Sequence, residues 1–291
     1  MISFSGIMHG VEFFAKCGVE VGALGASEDG RLIPYIFIGK KDAPAVFITA
    51  GIHAREHVSS YLVMRQAEHA LNHYNNLNAC EQKKFGGIYF MPTLNPDGLE
   101  ICRKGVRALK KCDKRFVANL IKQSGKERGF YKANALGVDL NVNFDAKWGT
   151  GASNVFTASI ENFVGTAPFS AAETRCIRDF TLIHRPIATV SYHSLGRELY
   201  WQFGQNSKNE KRDFDIAKYL NKKLKYAILP DSGTSAGGYK DWCISNLSIP
   251  SFTIELGSDT LSHPVVDYSL LKHDIKVNID LPIKLLNYLT H

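Results

Sequence analysis

The stretch AVFITAGIHAREH, Ala45 to His57, decides how the rest of the chain is read. AVFITA is a short, uncharged, apolar run with β-branched Val46, Ile48 and Thr49, which is the composition of a buried strand. It ends in Gly51, and His53, Glu56 and His57 follow at once. Similar runs recur along the chain: Leu32 to Ile38, Gly87 to Thr93, Ile187 to Tyr192, Glu198 to Phe203 and Ser251 to Glu255. Helical patterns alternate with them. One follows His57, with Tyr61, Met64, Ala67 and Leu71 on one face; others cover Ala171 to His184, Asp213 to Tyr226 and Ser269 to Leu289. Buried strands alternating with helices predict an α/β sandwich on a largely parallel or mixed sheet. Chemistry in such sheets collects at strand ends.

That rule sorts the titratable residues. Ile187 to Tyr192 ends in His193-Ser194, and Ser251 to Glu255 ends in Glu255-Leu256-Gly257. A catalytic zinc site takes three protein ligands and keeps one position open. His53, Glu56 and His193 supply the ligands, which leaves Glu255 as a base and Asp139 as an acceptor behind His53 that orients its ring. The spacing H-x-x-E alone is weak, since His9 and Glu12 form a second copy with no convincing strand before it. HAREH also fits H-x-x-E-H, with His53 and His57 as ligands and Glu56 as base. That reading needs a helix through His53 and leaves His193 and Glu255 without roles. Two His and one Glu suit zinc, and would also accept cobalt or manganese.

Composition bounds the setting. The chain has 291 residues, 45% hydrophobic and 22% charged, with 17 Phe and 12 Tyr, which excludes a disordered chain or a coiled coil. No apolar run approaches the roughly 20 residues that cross a bilayer. The start, MISFSGIMHGVEFFAKCGVEVG, is interrupted by His9, Glu12, Lys16 and Glu20 and lacks a basic head and a cleavage site. Six cysteines without C-x-x-C spacing read as free thiols, and the expected compartment is the cytoplasm. Eleven Lys or Arg lie between Arg103 and Lys132 against only Asp113 and Glu127, a local +9 that exceeds the net +7 of the whole chain. Such a stretch is a solvated helical face or an electrostatic guide for an anionic substrate. No nucleic-acid motif accompanies it, and neither nucleic acid nor a membrane is an expected partner.

From about residue 30 to the C-terminus the motifs fall in one order: HARE (His53 to Glu56), NPDG (Asn95 to Gly98), GVDLN (Gly137 to Asn141), His193-Ser194, DW (Asp241-Trp242) and TIEL (Thr253 to Leu256). This order resembles the zinc carboxypeptidase A family. The resemblance implies a three-layer α/β/α sandwich with a mixed, mostly parallel eight-stranded sheet. It implies one zinc ion per chain on His53, Glu56 and His193, with Glu255 as general base. A single catalytic domain over residues 1–291 is expected, with residues 1–30 a lead-in and no propeptide-like segment.

Three departures matter. Asn141-Val142 stands where the family has Asn-Arg to grip a terminal carboxylate, and valine cannot make that bidentate bond. Lys132, in KANALGVDLN, stands where the bacterial branch has the arginine that stabilises the oxyanion. Gly233 falls at the place of the capping tyrosine, and Lys240 at the specificity position, where a lysine suits an acidic group. Arg55 and Asn141 remain candidates for substrate contact. SGTSAGGYKDW (Ser232 to Trp242) and HSLGRELYW (His193 to Trp201) resemble the branch that hydrolyses the γ-D-glutamyl–diaminopimelate bond of peptidoglycan stem peptides. The expected function is therefore a zinc peptidase of anionic cell-wall peptides. The alternatives are a metallocarboxypeptidase acting on ordinary peptides, with acidic C-termini favoured, and a zinc-binding homologue without turnover.

Overall fold

AVFITA does form a strand, and all six of its residues are buried. The computed structural model describes residues 2–258, 260–265 and 267–291. Its strands are β1 (Glu20–Ala26), β2 (Leu32–Gly39), β3 (Ala45–Ala50), β4 (Gly87–Met91), β5 (Ala188–Ser194), β6 (Glu198–Tyr200), β7 (Ala227–Leu229) and β8 (Ser251–Leu256). They make one eight-stranded sheet in the order β1-β2-β4-β3-β5-β8-β6-β7. The pairs β4–β3, β3–β5, β5–β8 and β6–β7 are parallel, and β1–β2, β2–β4 and β8–β6 are antiparallel. The sheet is mixed and mostly parallel, as expected.

Ten α-helices are described: α1 (Phe4–Lys16), α2 (His57–Asn76), α3 (Ala79–Lys84), α4 (Pro96–Lys104), α5 (Lys114–Ser124), α6 (Ala172–His184), α7 (Ser207–Leu224), α8 (Tyr239–Leu247), α9 (Lys272–Asn278) and α10 (Leu281–Thr290). Successive strand residues point to opposite faces, and this divides the core in two. Val46 and Ile48 of β3 pack with Leu62 and Val63 of α2, Leu220 of α7 and Leu285 of α10. Phe47, between them, packs with Phe180 of α6 and Tyr239 and Trp242 of α8. Helices thus cover both faces, giving the three layers. None of the described helices is long and apolar enough to cross a membrane.

Several elements differ from the sequence reading. Residues 2–30, read as a lead-in, contribute α1 and the edge strand β1, with Ile7, Val11 and Phe14 buried at helical spacing. The buried face of α2 includes Leu62, Val63, Met64, Gln66, Ala67 and Ala70, so Met64 and Ala67 lie on it as expected, while Tyr61 and Leu71 flank it. The long helix expected over Ser269 to Leu289 is divided between Asn278 and Leu281. Pro282 has no N–H to return to the carbonyl of Asn278. That carbonyl instead accepts the Gln66 Nε2–H at 2.8 Å, which ties α2 to the break.

One buried carboxyl gives a pH prediction. Glu173, in the first turn of α6, is fully buried and accepts from the Glu28 N–H at 3.3 Å and from Asn134 Nδ2 at 3.0 Å. Burial, aided by the charge of Asp97, pushes its carboxyl up to about 8, against 4.5 when exposed. The fold therefore holds a proton that the unfolded chain has lost across that window. This stabilisation is fully present below about pH 4.5 and is lost as pH rises towards 8, a change on the order of a few kcal/mol. Thermal melts of the native protein should fall in midpoint from pH 5 to pH 8, and those of Glu173→Gln should fall less. Parallel curves would assign the pH dependence to other groups.

Candidate metal centre and substrate cavity

The turn after β3 places the first two candidate ligands. Gly51 has φ 61°, and a Cβ there would meet Ser60 Oγ at 2.7 Å and Thr93 Oγ1 at 2.9 Å, so the chain turns off the strand only with glycine. The NPDG and KAN segments then hold the HARE loop. Asn95 caps α4 by accepting the Gly98 N–H, with Pro96 in the first turn, and its Nδ2 donates to the carbonyls of Ile52 and Ala133. The Ala54 N–H donates to the Lys132 carbonyl at 3.0 Å. Glu56 becomes the residue before α2. His193 comes from β5, and the parallel β5–β8 register sets it beside Glu255.

The three predicted ligands converge. His53 Nδ1 lies 2.8 Å from Glu56 Oε1, and His193 Nδ1 lies 3.1 Å from Glu56 Oε2 and 3.1 Å from His53 Nδ1. All three residues are buried, and they form the only metal-compatible group of three or more such side chains found among the described residues. Tetrahedral zinc ligands at about 2.0–2.1 Å from the ion stand roughly 3.3 Å from one another. The donor set fits the ion. Two imidazole nitrogens facing each other at 3.1 Å need a cation or a shared proton between them. Burial raises the Glu56 carboxyl, but His53 and His193 outweigh it and hold it well below the usual carboxylate range.

Asp139 stands behind His53, with Oδ1 3.4 Å from its Nε2. It also accepts the N–H groups of Asn141 and Asn162. Lys132 Nζ lies 2.8 Å from Asp139 Oδ2. Burial opposes the Asp139 charge, while Lys132 and then His53 hold its carboxyl well below the ordinary range. Glu255 differs. Its Oε2 has no hydrogen-bond partner among the described residues, and burial, with Glu56 and Glu198 adding to it, pushes the carboxyl up to about 8 against the opposing pull of His193.

A cavity of about 320 Å³ opens on this centre, and His53, Lys132, Asn141, Lys240 and Glu255 all line it. Arg55 does not: its guanidinium pairs with Glu161 at 3.1 Å and the Phe130 carbonyl at 3.3 Å. Lys240 is tethered within the cavity wall, with Nζ donating to Asp241 Oδ1 at 2.6 Å and to the Gln202 carbonyl at 3.0 Å. His57 begins α2 outside the ligand group; it is buried, and neither ring nitrogen has a hydrogen-bond partner among the described residues. Glu56 spends both oxygens on His53 and His193, which removes the H-x-x-E-H reading. His9 lies on α1, outside the metal-compatible group. Most cations of the basic stretch are solvated: Lys114, Arg115 and Lys122 are exposed, and Lys126 pairs with Glu161. The sequence reading missed Tyr200, Gln202 and Asp231, which also line the cavity. Tyr200 lies inside HSLGRELYW, two residues past β6's start; nothing local marks Asp231.

Known proteins agree with this geometry. The family model described as zinc carboxypeptidase matches residues 16–276. Gamma-D-glutamyl-L-diamino acid endopeptidase 1 of Lysinibacillus sphaericus is 28% identical over 255 residues, covering 85% of this chain and 63% of that protein. Carboxypeptidase B of Bos taurus is 27% identical over 256 residues, covering 82% of this chain and 58% of that protein. The chain thus spans less than two thirds of the length of either relative. The crystal structure of thrombin activatable fibrinolysis inhibitor superposes with a TM-score of 0.78 at 21% identity, over 99% of this chain and 77% of that one, which establishes the fold.

Proposed function

The chain belongs to the zinc carboxypeptidase family, and we propose that it is a zinc peptidase of cell-wall peptides, cutting at the γ-D-glutamyl–diaminopimelate bond with one zinc ion per chain. The observation that carries the peptidase reading is the convergence of His53, Glu56 and His193 on one point, with Glu255 beside them at the cavity. His53, Glu56 and His193 would hold the zinc ion, which when bound would supply a Lewis acid for the scissile carbonyl and for the attacking water. Glu255 takes the proton from the attacking water and delivers it to the leaving amine. Asp139 fixes the ring of His53, and Lys132, held by Asp139, sets a positive charge at the cavity wall for the oxyanion.

The choice of bond has two supports. One is the likeness to the Lysinibacillus sphaericus endopeptidase. The other is the cavity itself. Its cations are Lys132 and Lys240, each already paired with a carboxylate, and Val142 follows Asn141 where a guanidinium would seize a C-terminus. The likeness to carboxypeptidase B supports the second reading, release of C-terminal residues. The proposed compartment is the cytoplasm, in keeping with six free thiols, two of them exposed.

The test is mass spectrometry of a digest of L-Ala-γ-D-Glu-meso-diaminopimelate by the zinc-loaded protein. Ordinary peptides ending in Glu and in Phe share the tube, and Glu255→Gln runs alongside. Free diaminopimelate, absent with the variant, is the expected product. Release of Glu or Phe alone would replace the cell-wall reading with a carboxypeptidase. Silence on all three with zinc bound would favour a binding protein.

A further inference from the structure

Asp231 is a charge that the hydrolytic chemistry does not use. It lies between β7 and α8 and lines the same cavity as His53, Lys240 and Glu255. Its Oδ1 accepts the Gly233 N–H at 2.9 Å, and its own N–H donates to Gln202 Oε1 at 3.2 Å. Its other carboxylate oxygen has no hydrogen-bond partner, and no cation lies within ion-pair distance, among the described residues. Lys240 hangs from the same glutamine, through the Gln202 carbonyl. Its second bond goes to Asp241, whose Oδ2 accepts the Gly238 N–H. Lys240 and Asp241 therefore offset each other, and two of the three Lys240 N–H groups are committed. Apart from Glu255, which the hydrolytic chemistry uses, the cavity is left with one carboxylate that no cation offsets among the described residues, Asp231, and with one spare ammonium N–H on Lys240; both residues hang from Gln202. A bare acidic side chain, the ligand expected for Lys240 from the sequence, would face Asp231.

We infer that Asp231 is a specificity-determining residue that receives an ammonium group at the far end of the side chain on the leaving-group side of the scissile bond. The spare Lys240 N–H receives a carboxylate on the same carbon. The pocket so built selects a zwitterionic amino-acid head, that is, a diamino acid, over a plain acid or an apolar residue. The identity of the diamino acid rests on the proposed bond; the preference for an ammonium group does not.

Two measurements on zinc-loaded protein test this. In the first, calorimetry compares free meso-diaminopimelate with 2-aminopimelate, which lacks the distal amine. The native protein should bind diaminopimelate at least tenfold more tightly, the scale of a charged hydrogen bond. Asp231→Asn should bring the ratio close to one, and Asp231→Lys should invert it. In the second, kcat/KM is compared for L-Ala-γ-D-Glu-X with X as diaminopimelate, lysine or 2-aminopimelate. The two amine-bearing substrates should lead, chiefly through KM, and the lead should vanish in Asp231→Asn. Equal binding of the two ligands by the native protein, or an unchanged ratio in folded Asp231→Asn, would overturn the assignment. If no γ-D-glutamyl peptide is cut, the proposed bond falls. The binding ratio, and release of C-terminal lysine against norleucine from ordinary peptides, still decide Asp231.

Discussion

Glu255→Gln is expected to keep zinc bound and to lose about 10²–10⁴-fold in kcat, with KM little changed. The argument is geometric. Glu255 sits on β8 while the three ligands come from the HARE loop and β5, so the substitution leaves the donor set intact. The β5–β8 register nevertheless holds Glu255 next to His193, at the wall of the cavity. Its Oε2 has no hydrogen-bond partner among the described residues, which leaves that oxygen free to take the proton. Glutamine preserves the volume and one oxygen but cannot accept that proton. Loss of an acceptor used only in the transition state lowers kcat and kcat/KM together. Metal analysis of the purified variant, beside its steady-state kinetics, separates this outcome from loss of the ion. Native turnover in Glu255→Gln would remove the residue from the reaction.

Much of this site was legible because each of its strands is buried on both faces. β3, β5 and β8 are apolar runs with no alternation to hide them, and each delivers a ligand or a base at its C-terminal end. The break before Pro282 was missed, because the four-residue spacing of Leu271, Ile275 and Ile279 was followed straight through a residue that cannot return a hydrogen bond to the preceding turn. β7 was missed too. It has three residues, AIL, and becomes a strand only because β6 offers it an edge. Asp231 was hidden for a related reason: its partner Gln202 lies 29 residues away, and only the folded sheet brings them to one cavity. The roles of the two lysines were half visible. Their positions could be counted from motifs, but the carboxylates of Asp139 and Asp241 that absorb their charge are a matter of side-chain geometry. Spacing can say where a cation stands, whereas what it is free to bind depends on which neighbours already hold it.

Stripping the protein with a chelator should silence it and lower its unfolding midpoint by about 5–10 °C relative to the zinc-saturated form. Glu56 is 4% exposed, and its two oxygens each meet an imidazole nitrogen. Without the ion, that buried carboxylate and the facing His53 and His193 nitrogens are held together only by protonation of a ring. Zinc supplies positive charge to all three donors at once and binds the folded chain alone. At a hundredfold excess over its Kd, such a ligand stabilises by about 2.7 kcal/mol. For chains of 150–250 residues each kcal/mol moves the midpoint by about 2–4 °C, which sets the expected shift. Glu56→Gln makes the claim specific. It keeps the shape of the site and removes the one formal negative charge in the donor set, so its midpoint should barely respond to zinc and its activity should fall to background. A zinc response in Glu56→Gln equal to that of the native protein would mean that the ion binds elsewhere on the chain, and the catalytic reading of His53, Glu56 and His193 would fall with it.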